Sequence, residues 1–212
     1  TDANDPSKNV TMDDWDWRWL QSNNDVINNV IHDVGQEYYS SAAISAAVIE
    51  ESDSSHNEIF DIPYSGFHIG YGWTSWPELV SPMGNNRIQY NYIHDCMLEQ
   101  KDGGAIYTIG IQACASGEDG WARKSIISNN YIADQTNLYG SVYLDEGADY
   151  YDVYDNVIQN TPEFLLTKHV QNYVHDNYSN QTYMANHESP FESGTAKLEN
   201  NTFFEGDNLP EE

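Results

Sequence analysis

Three carboxylates hold the chemistry that this sequence offers. Asp102 stands before Gly103-Gly104, and Asp145 and Glu146 stand side by side before Gly147. Each group borders a short apolar run that contains a tyrosine, Ala105-Ile106-Tyr107 in one case and Val142-Tyr143-Leu144 in the other. Paired carboxylates beside outward aromatic residues suit hydrolysis of a glycosidic bond: one protonates the leaving oxygen, and the other serves as nucleophile or base. Neighbouring carboxylates raise one another's pKa, which keeps one protonated near neutrality. Tyr107, Tyr143, His68 and Trp73 are the residues expected to line a sugar-binding groove around them. The competing reading makes Asp145 a rung of a solvent-facing carboxylate ladder or a Ca²⁺ ligand. It makes Asp102 a turn-ordering residue and packs Trp73 within its own loop.

The elements that position these residues come from a repeat. The pattern Asn-x-aliphatic/aromatic-x-Asp/Asn/Glu begins at Asn29, Asn57, Asn91, Asn130, Asn156, Asn172 and Asn201, with spacings from 16 to 39 residues. A fixed local motif with variable spacing describes coils of a solenoid whose loops differ in length. Within each copy the aliphatic residue faces inward and its neighbours face outward. Asparagine suits the adjoining turn, where it tolerates left-handed backbone and stacks its amide along the axis. Two further apolar runs accompany each copy, such as Gly66-Phe67-His68-Ile69 and Arg87-Ile88. Three short strands per coil predict an all-β, right-handed parallel β-helix of about six to seven coils. A β-sandwich would need hairpin turns such as Asn-Gly, and the sequence has none. The helix is placed over residues 23–206. Residues 1–22, with Trp15, Trp17 and Trp19, form an N-terminal extension or a segment that covers the first coil, and residues 207–212 form a polar tail. Aligning Ile106 with Val142 puts Asp102 and Asp145 at opposite strand ends, so a bend at Gly103-Gly104 must fold Asp102 back. His32, His94 and His175 share one motif position and are expected to stack on one face as a structural ladder.

Composition narrows the partners. Eight Lys and Arg face 34 Asp and Glu, a formal net charge of -26, which disfavours nucleic acid, anionic membrane surfaces and polyanionic glycans. Six Trp, 16 Tyr and six Phe argue for a packed domain instead of a disordered acidic chain. A neutral carbohydrate is the expected partner. No cofactor is called for, with Ca²⁺ the one candidate. No apolar run approaches the roughly 20 residues that span a bilayer. The chain reads as the mature form of a secreted, extracellular protein. Sequons at Asn9, Asn177, Asn180 and Asn200 are candidate glycosylation sites. Cys96 and Cys114 pair as a single disulfide or remain two buried thiols.

Specific stretches add a resemblance. They are Val30-Ile31-His32-Asp33-Val34-Gly35 with Tyr38-Tyr39, His56-Asn57-Glu58-Ile59-Phe60-Asp61-Ile62-Pro63-Tyr64-Ser65-Gly66, Gly70-Tyr71-Gly72-Trp73, residues 86–95, residues 102–110, and Tyr143-Leu144-Asp145-Glu146-Gly147. Over roughly residues 24–175 they resemble the later coils of right-handed parallel β-helix proteins of glycoside hydrolase family 141. The resemblance implies hydrolysis of fucosides or of xylan. Members are usually much longer, so the chain resembles the second half of such a helix. The stretch Ala42-Ala43-Ile44-Ser45-Ala46-Ala47 lacks the usual glycine and aromatic residues, and His68 stands where a small residue is expected. The function expected is glycoside hydrolysis by Asp102, Asp145 and Glu146. The alternative is a non-catalytic β-helix that associates end to end into an extracellular filament.

Overall fold

The computed structural model describes residues 18, 20–71, 81–110, 120–136, 139–167, 171–181, 184–186 and 196–206. These form a parallel β-helix. Three long sheets run along its axis, and every strand pairing within them is parallel. The chain visits the sheets in rotation. The first sheet to be entered has seven strands, from Asp25–Ile27 through Ser125–Ser128 to Lys197–Glu199. The second also has seven, from Val30–His32 through Tyr131–Ala133 to Thr202–Phe203. The third has six and contains both tyrosine runs. Its strands are Ile44–Ala46, Phe67–Gly70, Ile106–Ile109, Gly140–Leu144, Glu163–Thr167 and Met184–Asn186. A short parallel pair, Gln21–Ser22 with Ile49–Glu50, begins inside the segment assigned to the N-terminal extension. Residues 1–17 of that segment and the tail 207–212 lie outside the described residues.

Register stacks like on like. Ile31, Ile59, Ile93, Ile132 and Ile158 are mutual partners along the second sheet. Ile44, Phe67, Ile106, Val142 and Leu165 do the same along the third. From Ile59 to Ile158 and from Phe67 to Leu165 these columns are wholly buried, while Ile31, Ile44 and Leu198 in the outer coils are only partly so. Each fully buried aliphatic side chain contributes roughly 1.5–3 kcal/mol.

The turn between first and second sheets explains the asparagines. Its first residue adopts a left-handed backbone in all seven coils: Asn28, His56, Tyr90, Asn129, Asp155, Asp176 and Asn200, with φ between 52° and 59°. Asn, Asp and His accept that conformation more readily than most residues. Tyr90 does so while its ring stacks on His56 at 5.1 Å. The second turn residue is the ladder asparagine. Asn29, Asn57, Asn91, Asn130, Asn156 and Asn177 each pass their backbone N–H and Nδ2 to Oδ1 of the next rung, ending at Asn201. From Asn57 onwards Nδ2 also donates to a carbonyl of the preceding coil, as Asn130 does to Ile88 at 2.9 Å.

This ladder corrects one copy of the repeat. Asn172 is not a rung of it: Tyr173–His175 belongs to the first sheet, and Asn172 Oδ1 accepts from the N–H of Tyr151. The rung is Asn177, which makes the coil 21 residues long instead of 16. Two facts misled the reading. The inward residue of the true copy is Ser179, which has no apolar signature. The first-sheet strand mimics the motif because it too ends on a left-handed Asp, Asp176. The histidine ladder is corrected with it. His32 and His94 lie on the second sheet and sandwich Phe60 at 4.9 and 5.0 Å. His175 lies on the first sheet, bonded to Asp152 at 3.0 Å and stacked on Tyr154. The three share only a local feature, a bond from Nδ1 to the following aspartate at 2.6–2.7 Å.

Replacing Asn130 by Ala removes a buried amide and leaves the Asn91 N–H and the Ile88 carbonyl without their partner. Urea denaturation is expected to show a loss of about 3 kcal/mol. Asn180→Ala, at a half-buried position, should cost less than about 1 kcal/mol. Equal effects would contradict the role given to the ladder.

Candidate active site

The outer face of the third sheet carries the site. One outward column runs Ser45, His68, Tyr107, Tyr143 and Leu166. The next runs Ala47, Gly70 and Ile109 and continues to Asp145, whose N–H donates to the Thr108 carbonyl at 3.0 Å. Ile106, Val142 and Leu144 point inward as the sequence predicts.

Asp145 sits at the end of its strand. The turn that follows closes with the Ala148 N–H on the Asp145 carbonyl at 2.9 Å and a left-handed Gly147 at φ 78°. Tyr107 Oη donates to Asp145 Oδ2 at 2.7 Å. Asp102 reaches the same place from the other strand end. Its loop is pinned at three points: Tyr64 Oη on the Asp102 carbonyl at 2.8 Å, the Gly104 N–H on Ser65 Oγ, and the Ala105 N–H on Gln135 Oε1 at 2.9 Å. Tyr143 Oη then donates to Asp102 Oδ1 at 3.3 Å. The two pairs are crossed, because each tyrosine serves the carboxylate of the neighbouring coil. Their rings meet edge to face at 5.1 Å.

The glycines act differently from expectation. Neither Gly103 nor Gly104 has a left-handed backbone. Both are required by close approach. A Cβ on Gly103 would lie 2.6 Å from Ser65 Oγ and from the Tyr64 ring, and one on Gly104 would lie 2.4 Å from the Gly140 carbonyl oxygen.

Burial changes the tyrosines' roles. Tyr107 and Tyr143 were expected to line a groove. Instead they are buried and form an apolar cluster with Ile109 and Leu166 on the outer face. Their rings are covered, and their hydroxyls hold the carboxylates of Asp145 and Asp102. Asp145 is 6% exposed, while Asp102 and Glu146 are exposed. Glu146 bonds the adjacent coil through its carbonyl, which accepts from the Gly110 N–H at 3.1 Å, and its carboxylate takes no part in the crossed pairs. Burial raises the Tyr107 hydroxyl well above its ordinary pKa near 10, and the hydrogen bond and charge of Asp145 add to this. Tyr143 is raised by burial and then by the charges of Asp145 and Asp102, and Tyr64 by burial first as well. Both carboxylate charges thus act on all three phenols, which stay protonated as donors.

His68 packs edge-on against the Tyr107 ring at 4.9 Å, and burial lowers its pKa. It borders an open pocket of about 240 Å³ with Ser45, Ala47, Gly70, Tyr71 and Ile109. The small residues that looked like a departure from the repeat form part of its lining. Tyr64 and Tyr71 lie in stretches that carry the family resemblance, which says nothing of their parts here, and Gln135, which accepts from the Ala105 N–H, has no signal in the sequence.

Other candidates fall apart from the site. Trp73, Cys114 and Asn9 lie outside the described residues. Cys96 is a fully buried free thiol whose pKa is pushed up to about 12 by burial, in the core on the inner side of the coils. Asn177 is 1% exposed, and the Nδ2 that would bear a glycan donates to Asn201, Val153 and His175 within the ladder. The Asn180 amide is engaged by Asn160 and Gly206, whereas Asn200 is exposed. Among the described residues, no group of three His, Cys, Asp or Glu converges as a metal site, and no helix is long and apolar enough to cross a membrane.

A comparison with solved structures bears on the fold. The chain is similar to a glycoside hydrolase, with 25% sequence identity and a TM-score of 0.56 over 91% of its length. The fold is glycoside-hydrolase-like. The chain spans 27% of that protein's length, so the likeness concerns a part of the larger molecule. No family model and no curated protein matches the sequence.

The raised phenols fix a sign. A group whose folded pKa exceeds its unfolded value near 10 contributes stability that is intact below pH ~10 and is lost as pH rises through the folded value. Urea denaturation between pH 8 and 11.5 should therefore show stability falling above pH ~10. The Tyr107→Phe/Tyr143→Phe double variant should lose less over that range. An identical slope in both proteins would contradict the assignment.

Proposed function

We propose that the chain is the carbohydrate-active part of a secreted β-helical glycoside hydrolase that cleaves a neutral, fucoside- or xylan-type glycan. The supporting observation is the crossed arrangement, Tyr107 on Asp145 and Tyr143 on Asp102, which holds two carboxylates from different coils at one place. Hydrolysis of a glycosidic bond needs two such groups at a fixed separation. Asp145, fixed by a hydroxyl and a closed turn, suits the nucleophile or base, which must keep its position on the sugar's far side. Asp102, at the exposed rim, suits the proton donor, which must exchange with solvent between turnovers. The strongly acidic chain favours an uncharged substrate. The likeness to a glycoside hydrolase agrees with this reading.

Glu146 joins the proposal only as a neighbour of Asp145. Asp145→Asn and Asp102→Asn should each lower kcat/KM about 10²- to 10⁴-fold on a neutral glycan, the usual range for loss of an acid or base. Glu146→Gln should stay within about threefold, as expected of a group that does not transfer the proton. Full activity in Asp145→Asn would sink the assignment. The filament reading predicts end-to-end assemblies by electron microscopy with no release of sugar.

A further inference from the structure

The pocket beside His68 is not part of the crossed carboxylate pairs, yet it continues from them. Its lining runs from Ser45 and Ala47 in one coil to His68 and Gly70 in the next and Ile109 in the third. Asp145 is in the fourth coil of the same face. Parallel strands lie about 4.8 Å apart, so the middle of the pocket is about 10 Å from the Asp145 row. His68 touches the Tyr107 ring, and Tyr107 holds Asp145, so pocket and carboxylate share a wall.

The floor is flat for a structural reason. Gly70 has φ 108°, and a Cβ there would lie 1.8 Å from the Ile109 carbonyl oxygen, so no side chain can stand at that point. Ala47 and Ser45 beside it are small, and the exposed Tyr71 ring stands at the edge. A flat apolar floor with an aromatic edge and one imidazole matches a pyranose ring, whose face is apolar and whose rim is hydroxylated. Among the described residues that line it, none is Lys or Arg. Burial keeps His68 neutral.

We infer that this pocket is a subsite for an uncharged sugar unit of the same glycan, so that the substrate lies along the helix axis and acidic sugars are rejected. The inference rests on the hydrolytic reading above and adds to it the substrate's direction along the helix and the place where its charge is read. Uronates are turned away because they would enter a pocket whose described lining holds neither Lys nor Arg, on a face that already carries Asp102 and Asp145.

Binding separates this from turnover. Xylotetraose, a neutral fucosylated tetrasaccharide and tetragalacturonate would be titrated calorimetrically into Asp145→Asn, which holds substrate without cleaving it. At least one neutral probe should bind, with tetragalacturonate at least about tenfold weaker. Adding Ala47→Trp, which fills the pocket from an exposed position, should weaken the neutral probe at least about tenfold, and His68→Ala should weaken it several-fold. Unchanged melting temperatures would show that both variants fold, and His68→Ala serves alone if Ala47→Trp does not. Unaltered neutral binding in the folded variants, equal binding of tetragalacturonate, or no binding of either neutral probe would overturn the subsite. If the variants abolish binding while the unmutated protein releases no sugar, the subsite stands and the hydrolytic reading falls.

Discussion

The structure depends on one relation, the in-register stacking of parallel coils about 4.8 Å apart. The asparagine ladder enforces it. From Asn57 onwards each rung satisfies a backbone N–H and a carbonyl that would otherwise be left without that partner, and an unpaired buried group of that kind costs about 1–3 kcal/mol. A coil that slipped by one residue would lose its rung and would turn its inward isoleucine to solvent. Register is therefore fixed twice, by amides at the turn and by aliphatic columns inside.

Fixed register converts sequence spacing into spatial proximity. Tyr107 and Tyr143 are 36 residues apart but occupy equivalent positions in adjacent coils. Their hydroxyls reach carboxylates at opposite ends of those strands because the loops at each end fold over the outer face. The same stacking lets the short side chains of Ser45 and Ala47 and the bare backbone of Gly70 form a floor next to those tyrosines. Site and pocket are thus two stretches of one face, distinguished by which residue types fill the columns.

Much of this was legible. Alternation assigned Ile106, Val142 and Leu144 to the interior and Asp145 to the outside, and the repeat gave the fold and the pairing of Ile106 with Val142. The misreadings have physical causes. A strand of the first sheet copied the motif of the second, because both end on a left-handed Asp, so Asn172 stood in for Asn177. Gly103-Gly104 looked like a bend, although what they provide is room for Tyr64, Ser65 and Gly140. Tyr107 and Tyr143 looked exposed because alternation tells which side of a strand a residue takes and nothing of what packs on that side.

The sequence by itself determined the coil, its three strands and the residues facing in, since these follow from side-chain alternation and from turn positions that demand Asn or Asp. It also set the charge that disfavours acidic partners. Tertiary structure alone decided which tyrosine serves which carboxylate, that Glu146 stays apart from both, and that His68 borders a pocket. Those outcomes depend on how loops of unequal length return over a sheet, and a one-dimensional pattern carries no measure of that distance.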